Sequence, residues 1–231
     1  MTPLLSNCLA IADALPRISD DRPEWLRNMA SASDPTALYY RFFHELVQEF
    51  CPLKVLEIGT YVGTSAAHLA FANGGGSVLT IDINPDAKLQ LERAIEGHGL
   101  KFAIEAVTAD SMQWANINRY LAADGHRGFD ILFIDGLHNF NQTYGEYVAF
   151  RSFVKDGGLI FFDDLELDMA TREMQVFWAL VPEEKQKLDM LHYTGFGVCK
   201  KDSNVYVPAW GDIVGRAEQM MREFATRKVA T

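Results

Sequence analysis

Six carboxylates stand at or just beyond the ends of five short apolar runs: Glu57, Asp82, Asp110, Asp135 and the adjacent pair Asp163 and Asp164. Counting the pair once, they are 25, 28, 25 and 28 residues apart. That interval is about the length of one strand followed by one helix. A single acidic residue at a strand end is readily explained as the N-cap of the next helix. A whole row is not. Like charges gathered together repel, and one of an adjacent pair takes up a proton unless a cation lies between them.

The elements that must position this row are legible from periodicity. KVLEI (54–58), SVLTID (77–82), KFAIEAV (101–107), FDILFID (129–135) and GLIFFD (158–163) read as strands. Segments with helical spacing separate them, at 64–72, 85–97, 111–123 and 141–154. Strands alternating with helices predict a parallel sheet covered on both faces, and the unbroken apolar runs agree. All strands of such a sheet point the same way, so the acidic row falls along one edge, where ligands bind in open α/β sheets.

Further elements complete the pattern. Leu4, Leu5, Cys8, Leu9, Ala12 and Leu15 recur at helical spacing. Asp34 is read as an N-cap, with Pro35 opening a helix that runs to Phe50. A helix is expected over 168–180. Residues 187–194 and 196–201 are expected to form a tight antiparallel hairpin about Gly195 at the sheet edge, and 211–228 a terminal amphipathic helix. Residues 1–52 thus form an N-terminal helical extension, a lid or a dimer contact, and 53–231 the main domain.

Composition narrows the partners. The formal charge is −10, and no run of Lys and Arg marks a nucleic-acid surface. No segment reaches the ~20 apolar residues that span a bilayer. Cys8, Cys51 and Cys199 lack metal-type spacing, and PLLSNCLAIADAL lacks the basic start of a signal segment, which together suggest a cytoplasmic protein.

The loop after the first run, EIGTYVGTSAAHLA, has Gly59 and Gly63 between strand and helix. Gly59 suits a tight turn. Gly63 lets a ligand or a helix approach the backbone. The spacing is neither the dinucleotide fingerprint nor a phosphate-binding Walker loop, and Glu57 would repel a pyrophosphate there. A nicotinamide-dependent dehydrogenase is the weakest rival on this ground.

VLEIGTYVGTSAAHLA followed by LTIDINP resembles the first two motifs of class I S-adenosylmethionine-dependent methyltransferases. FDILFIDGLHNF and GGLIFFDDL resemble the later motifs of the small-molecule O-methyltransferase branch, including its D-G-x-H type. The likeness covers about residues 53–200. It implies a Rossmann-like fold with S-adenosylmethionine as methyl donor. Glu57, Gly59, Thr60 and Gly63 inherit the methionine side of the site, and Asp82 the ribose hydroxyls, which a carboxylate can accept as a pair. Ile83 would flank the adenine, Asp110 would read its amino group, and Ser111, Met112 and Trp114 would line the base pocket. For Met112 and Trp114, packing of the following helix explains the residues as well.

The same resemblance implies a divalent cation, usually Mg²⁺, held by Asp135, Asp163 and Asp164, with Asp135 also reaching the cofactor. Such an ion would explain why two carboxylates sit side by side. Alternatively Asp164 caps a helix starting near Leu167. His138, three residues after Asp135, is either the general base or a loop histidine bonded to a carboxylate. His44, His68, His98, His126 and His192 are read as solvent-facing or structural. Asn139, Phe140, Tyr144, Trp178, Tyr193 and Phe196 either wall an acceptor pocket or belong to the core. Arg22, Trp25 and Arg27 belong to the N-terminal lid or to a dimer surface. The expected activity is methyl transfer to a hydroxyl of a small molecule, in a protein that forms a homodimer if it assembles. Two alternatives stand beside it: a metal-free methyltransferase with His138 as base, and a cofactor-binding module without turnover.

Overall fold

A computed structural model describes residues 3–123, 126–167 and 171–227. Seven strands form one sheet: β1 Lys54–Ile58, β2 Ser77–Asp82, β3 Ile104–Thr108, β4 Phe129–Ile134, β5 Val154–Phe162, β6 Lys185–Lys187 and β7 Gly197–Lys200. Their spatial order is β3-β2-β1-β4-β5-β7-β6. The first five run parallel, and β7 is antiparallel to both β5 and β6. The expected Rossmann-like sheet with an antiparallel edge is therefore present.

Alternation along the strands divides the interior into two cores, as a two-residue period requires. Val55, Ile131, Phe133 and Phe161 face one side; Leu56, Ile58, Leu132, Ile134 and Phe162 face the other. The first side is covered by α1 Pro3–Ala14, α2 Glu24–Ser33, α3 Tyr39–Phe50, α4 Thr64–Phe71 and α5 Pro85–Ala94. The second is covered by α6 Trp114–Ala123, α7 Phe140–Phe150, α8 Glu173–Leu180 and α9 Trp210–Arg227.

The N-terminal helices share the core of the sheet. Phe42 and Phe43 of α3 are fully buried, and their rings meet those of Phe133 and Phe161 on β4 and β5. Burying one such ring contributes about 1.5–3 kcal/mol. This packing fixes the joint between α2 and α3 beside the sheet edge.

Several local expectations change. Asp34 is the C-cap of α2, not the N-cap of the next helix. Its Oδ1 accepts from the amide and hydroxyl of Thr36, an Asx-type turn that delays α3 to Tyr39. β3 starts at Ile104 and α6 at Trp114, both later than periodicity suggested. The helix expected over 168–180 begins at Glu173; residues 168–170 lie outside the described ones. Asp164 therefore caps no helix near Leu167. β6 and β7 pair as a hairpin, but residues 188–196 between them form a long loop rather than a turn at Gly195. That loop carries His192 toward the sheet edge.

Strand order reverses between β1 and β4, and their C-terminal ends meet tightly. The Gly59 amide donates to Ile81 O at 2.8 Å, and the Asp135 amide donates to Ile58 O at 2.8 Å. Gly59 has φ +99°, and a Cβ there would lie 2.0 Å from the Asp135 carbonyl oxygen. Both the backbone conformation and the close approach require glycine. Gly63, at φ +83°, faces Leu91 of α5 at 2.4 Å from an added Cβ, so of the two readings the helix, not a ligand, makes the approach. Gly59→Ala is expected to destabilise the protein by about 3 kcal/mol or more, read as a lower midpoint in urea unfolding.

Candidate active site

A cleft of about 670 Å³ opens at the reversal point, lined by the C-terminal ends of β1, β2 and β4 and the loop segments beyond them. Its size fits a small-molecule site. Its charge is one-sided. Asp82, Asp110, Asp135, Asp163 and Asp164 line it, with Asp34 and Glu146 added, and no Lys or Arg does; His138 and His192 are its only basic groups among the described residues. Such a cleft favours a ligand carrying positive charge.

Glu57 does not share this wall. It sits on the same face of β1 as Val55, under α4, and is fully buried. Thr80 Oγ1 donates to its Oε2 at 2.6 Å, and the Thr60 and Thr80 hydroxyls pair at 2.6 Å. Strand alternation explains the correction: only Ile58 and Gly59 continue to the rim. Burial pushes the Glu57 carboxyl up to about 7. The Thr60 side chain is likewise turned inward, and its amide is taken up by Asp82.

That amide and the amide of Tyr61 both donate to Asp82 Oδ2 at 2.9 Å, and the Asn84 amide donates to Oδ1 at 2.8 Å. Asp82 thus locks the first loop onto β2. A carboxylate offers about four lone-pair sites, so one edge stays open toward the cleft. Ile83 beside it is 67% exposed, an apolar surface left bare on the rim. Across the cleft, Asp110 Oδ1 accepts from the Met112 amide at 2.9 Å, and Ser111 Oγ donates to Glu146 Oε1 at 2.6 Å. Met112 and Trp114 pack against Gly145 of α7.

The acidic cluster occupies the other end. Asp163 is 3% exposed and its Oδ1 accepts from His192 Nδ1 at 2.7 Å. His192 Nε2 faces Asp34 Oδ2 at 3.1 Å. Asp164 follows in the left-handed region, φ +57°, which is rare for a residue with a side chain. That backbone turn places its Oδ2 3.1 Å from His138 Nε2, while Asp135 Oδ1 lies 3.8 Å from the same nitrogen. His138 thus stands between Asp135 and Asp164. Ligating atoms of Asp163, Asp164 and His192 all lie within 4.8 Å of one another. Asp135 is not in that set; it joins the cluster through His138.

Crowding shows in the proton affinities. Burial first, then the charges of Asp163 and Asp164, hold the Asp135 carboxyl well above its ordinary range. Burial also raises Asp163, and its bond to His192 offsets only part of the rise. Burial alone would lower His192, but the bonds to Asp163 and Asp34 outweigh it and raise the imidazole.

His192 is therefore a buried part of the cleft rather than a solvent-facing residue. Sequence reasoning also passed over Tyr39, Tyr40, Tyr61, Asp34, Gln142 and Glu146 as lining residues. Only Gln142 and Glu146 carried a local signal, since four-residue spacing puts them on one helix face. Of the residues considered for an acceptor pocket, Phe140, Tyr144 and Phe196 belong to the core, and Tyr193 is 75% exposed. Arg22 is paired with Asp20 and His68, and Trp25 stacks on His98 at 3.9 Å between ring centroids.

Comparison with known proteins agrees with this geometry. Residues 56–165 match the family described as a methyltransferase domain. A 91-residue stretch is 33% identical to catechol O-methyltransferase B of Danio rerio, covering 39% of this chain and 34% of that protein. The chain is thus similar to methyltransferases over somewhat less than half of its length. The match spans about a third of the Danio rerio protein's length. The O-methyltransferase TomG of Streptomyces achromogenes, involved in tomaymycin synthesis and solved with S-adenosylmethionine, superposes with a TM-score of 0.65 at 18% identity, covering 88% of this chain and all of that one. An O-methyltransferase of Bacillus cereus solved with S-adenosylhomocysteine gives 0.60 at 19% identity, over 87% of this chain and 92% of that one. These two show the shared fold. No helix among the described residues is long and apolar enough to cross a membrane.

Glu57 supplies a pH test of the interior. Its folded pKa is raised from 4.5 to about 7, so the folded state holds a proton that the unfolded chain has released between those values. Stability contributed by this group therefore falls as pH rises from 4.5 to 7. Glu57→Gln keeps the acceptor for Thr80 and removes the titration. The difference in melting temperature, variant minus wild type, is expected to increase from pH 5 to about pH 7 and to level off toward pH 8 in thermal unfolding.

Proposed function

We propose that the protein transfers the methyl group of S-adenosylmethionine to a hydroxyl oxygen of a small molecule, assisted by a divalent cation at Asp135, Asp163 and Asp164. The observation that carries this reading is the cleft's charge: seven carboxylates and no Lys or Arg around a cavity of cofactor size. S-adenosylmethionine brings a sulfonium and an ammonium against one carboxylate, so it is a net cation. Reaction breaks its methyl C–S bond and forms a C–O bond, and the acceptor's proton must leave.

The residues divide along the cleft. Asp82 is suited to the ribose hydroxyls, with Ile83 against the base. The turn at Gly59 and the amides of the first loop form the methionine side. Asp110 and Ser111 lie at the base end. Glu57 and Gly63 support this wall from behind rather than touching the ligand. Catalysis rests mainly on holding acceptor oxygen and methyl group in line.

The donor set at the other end fits a cation. Oxygens of Asp135, Asp163 and Asp164 are hard ligands, and their mutual repulsion is what an ion would relieve. When bound, such an ion lowers the pKa of an acceptor hydroxyl. His192, held by Asp34, fixes Oδ1 of Asp163, the arrangement by which outer partners orient a ligating carboxylate. His138 reaches the same space and can take the acceptor's proton at Nε2.

A second reading is favoured by His138 itself. Its Nε2 sits between Asp135 and Asp164, in the space an ion would use. A metal-free enzyme would use His138 as base, with Asp164 stabilising the charge that Nε2 gains with the proton. A small-molecule acceptor, a cytoplasmic location and an N-terminal extension, residues 1–52, that serves as a lid or as a dimer contact complete the proposal.

Calorimetry should show S-adenosylmethionine binding, and an acceptor screen should show turnover. Binding without turnover on any acceptor would indicate a module that only holds the cofactor. Under the metal-assisted reading, EDTA removes at least about 99% of activity, Asp163→Ala with Asp164→Ala does the same, and Mn²⁺ titrates into the wild type but not the double variant. Full activity in EDTA sinks that reading. His138→Gln then tests the base under either reading: a loss of about 100-fold or more in kcat is expected if His138 takes the proton. A loss confined to KM would assign it to positioning.

A further inference from the structure

Glu146 lies two turns into α7, fully buried, and lines the cleft. Its Oε1 accepts from Ser111 Oγ at 2.6 Å and from Gln142 Nε2 at 3.0 Å. Its Oε2 is buried and has no hydrogen-bond partner. Burial raises its pKa, although the bonds from Ser111 and Gln142 offset part of the rise. A buried carboxylate oxygen without a donor is costly to leave unmade. A ligand that brings an N–H to that position removes the cost.

The side chain reaches this place because Gly136 gives it room. A Cβ on Gly136 would lie 3.3 Å from Glu146 Oε1, tight enough to crowd the carboxylate. The carboxylate then sits against Ser111 and lines the cleft. Asp110, the other acid there, has Oδ1 turned to the Met112 amide of its own chain segment.

We propose that Glu146 reads the exocyclic amino group of the cofactor's adenine, with Ser111 and Gln142 as positioning residues that hold its other oxygen. This rests on the methyl-donor reading above and moves the amino-group contact from Asp110 to Glu146. The donors on S-adenosylmethionine are its ammonium, its ribose hydroxyls and this amino group. Asp82 and the first loop lie at the other places, so the amino group is the donor left for the open oxygen. An ionised acceptor bonded to a neutral donor discriminates strongly against a base lacking that donor.

Glu146→Gln makes the idea sharp. Ser111 and Gln142 both donate to Oε1, so the amide carbonyl takes that position and the amide NH₂ replaces Oε2. A donor then faces a donor. The test is calorimetry with S-adenosylhomocysteine and with its analogue carrying hydrogen in place of the 6-amino group. Wild type is expected to bind the adenine ligand about tenfold or more tighter than the analogue. Glu146→Gln should weaken the adenine ligand by a similar factor and leave the analogue within about twofold, so that the preference collapses. Equal binding of both ligands by wild type overturns the assignment, without reference to any variant. So does a variant that keeps the wild-type preference; Asp110→Asn losing it instead would return the contact to Asp110. If wild type binds neither ligand, the methyl-donor reading fails and this assignment fails with it.

Discussion

Mutual repulsion among carboxylates at one rim of the sheet is the constraint on which the rest of the site depends. Asp135, Asp163 and Asp164 raise the energy of one another's charges, and burial makes each charge harder to solvate. The fold holds them together regardless. Their strands are paired in register, with Ile134 of β4 beside Phe162 of β5, and the acids follow directly. Large apolar faces on both sides of the sheet stabilise that register, so the electrostatic cost is borne by the whole core. What the arrangement creates is a concave, strongly acidic surface that favours a cationic ligand.

The two histidines show how the protein manages that potential. His192 comes from the long loop between β6 and β7 and is bonded to Asp163 and Asp34. It therefore ties three separate parts of the chain together: the α2–α3 joint, the end of β5 and the edge hairpin. His138 is local to β4 and bridges Asp135 and Asp164. One histidine braces the cluster from behind, and the other stands in the cleft between two of its carboxylates. Glu57 plays a quieter role below the floor, where hydroxyls of Thr60 and Thr80 connect it to the first loop.

Glycine enters this design at the points of closest approach. At Gly59 the first loop touches the backbone of β4, which narrows the floor of the cleft to main-chain atoms. At Gly136 the absence of a side chain lets Glu146 reach across to Ser111. Both glycines border residues whose carboxylates define the charge of the site. The N-terminal helices contribute through packing: α3 buries Phe42 and Phe43 against the sheet and thereby brings Asp34, Tyr39 and Tyr40 to the rim.

Periodicity alone determined the alternation of strands and helices, the common direction of the strands and hence the row of acids on one edge. These follow from local rules, because each strand is a short apolar run and each acid adjoins its end. The same locality made Asp82, Asp110, Asp135, Asp163 and Asp164 legible as one row, and all five line the cleft. Glu57 was misplaced by one residue's worth of geometry: strand alternation turns it into the core while its neighbours reach the rim. His192, Asp34 and Glu146 were decided only by tertiary structure. Their partners lie 29, 158 and 35 residues away in the chain, and nothing in local spacing specifies which distant side chain will stand opposite. Packing of the sheet against its helices decides that, because it alone fixes where a long loop or a helix face comes to rest.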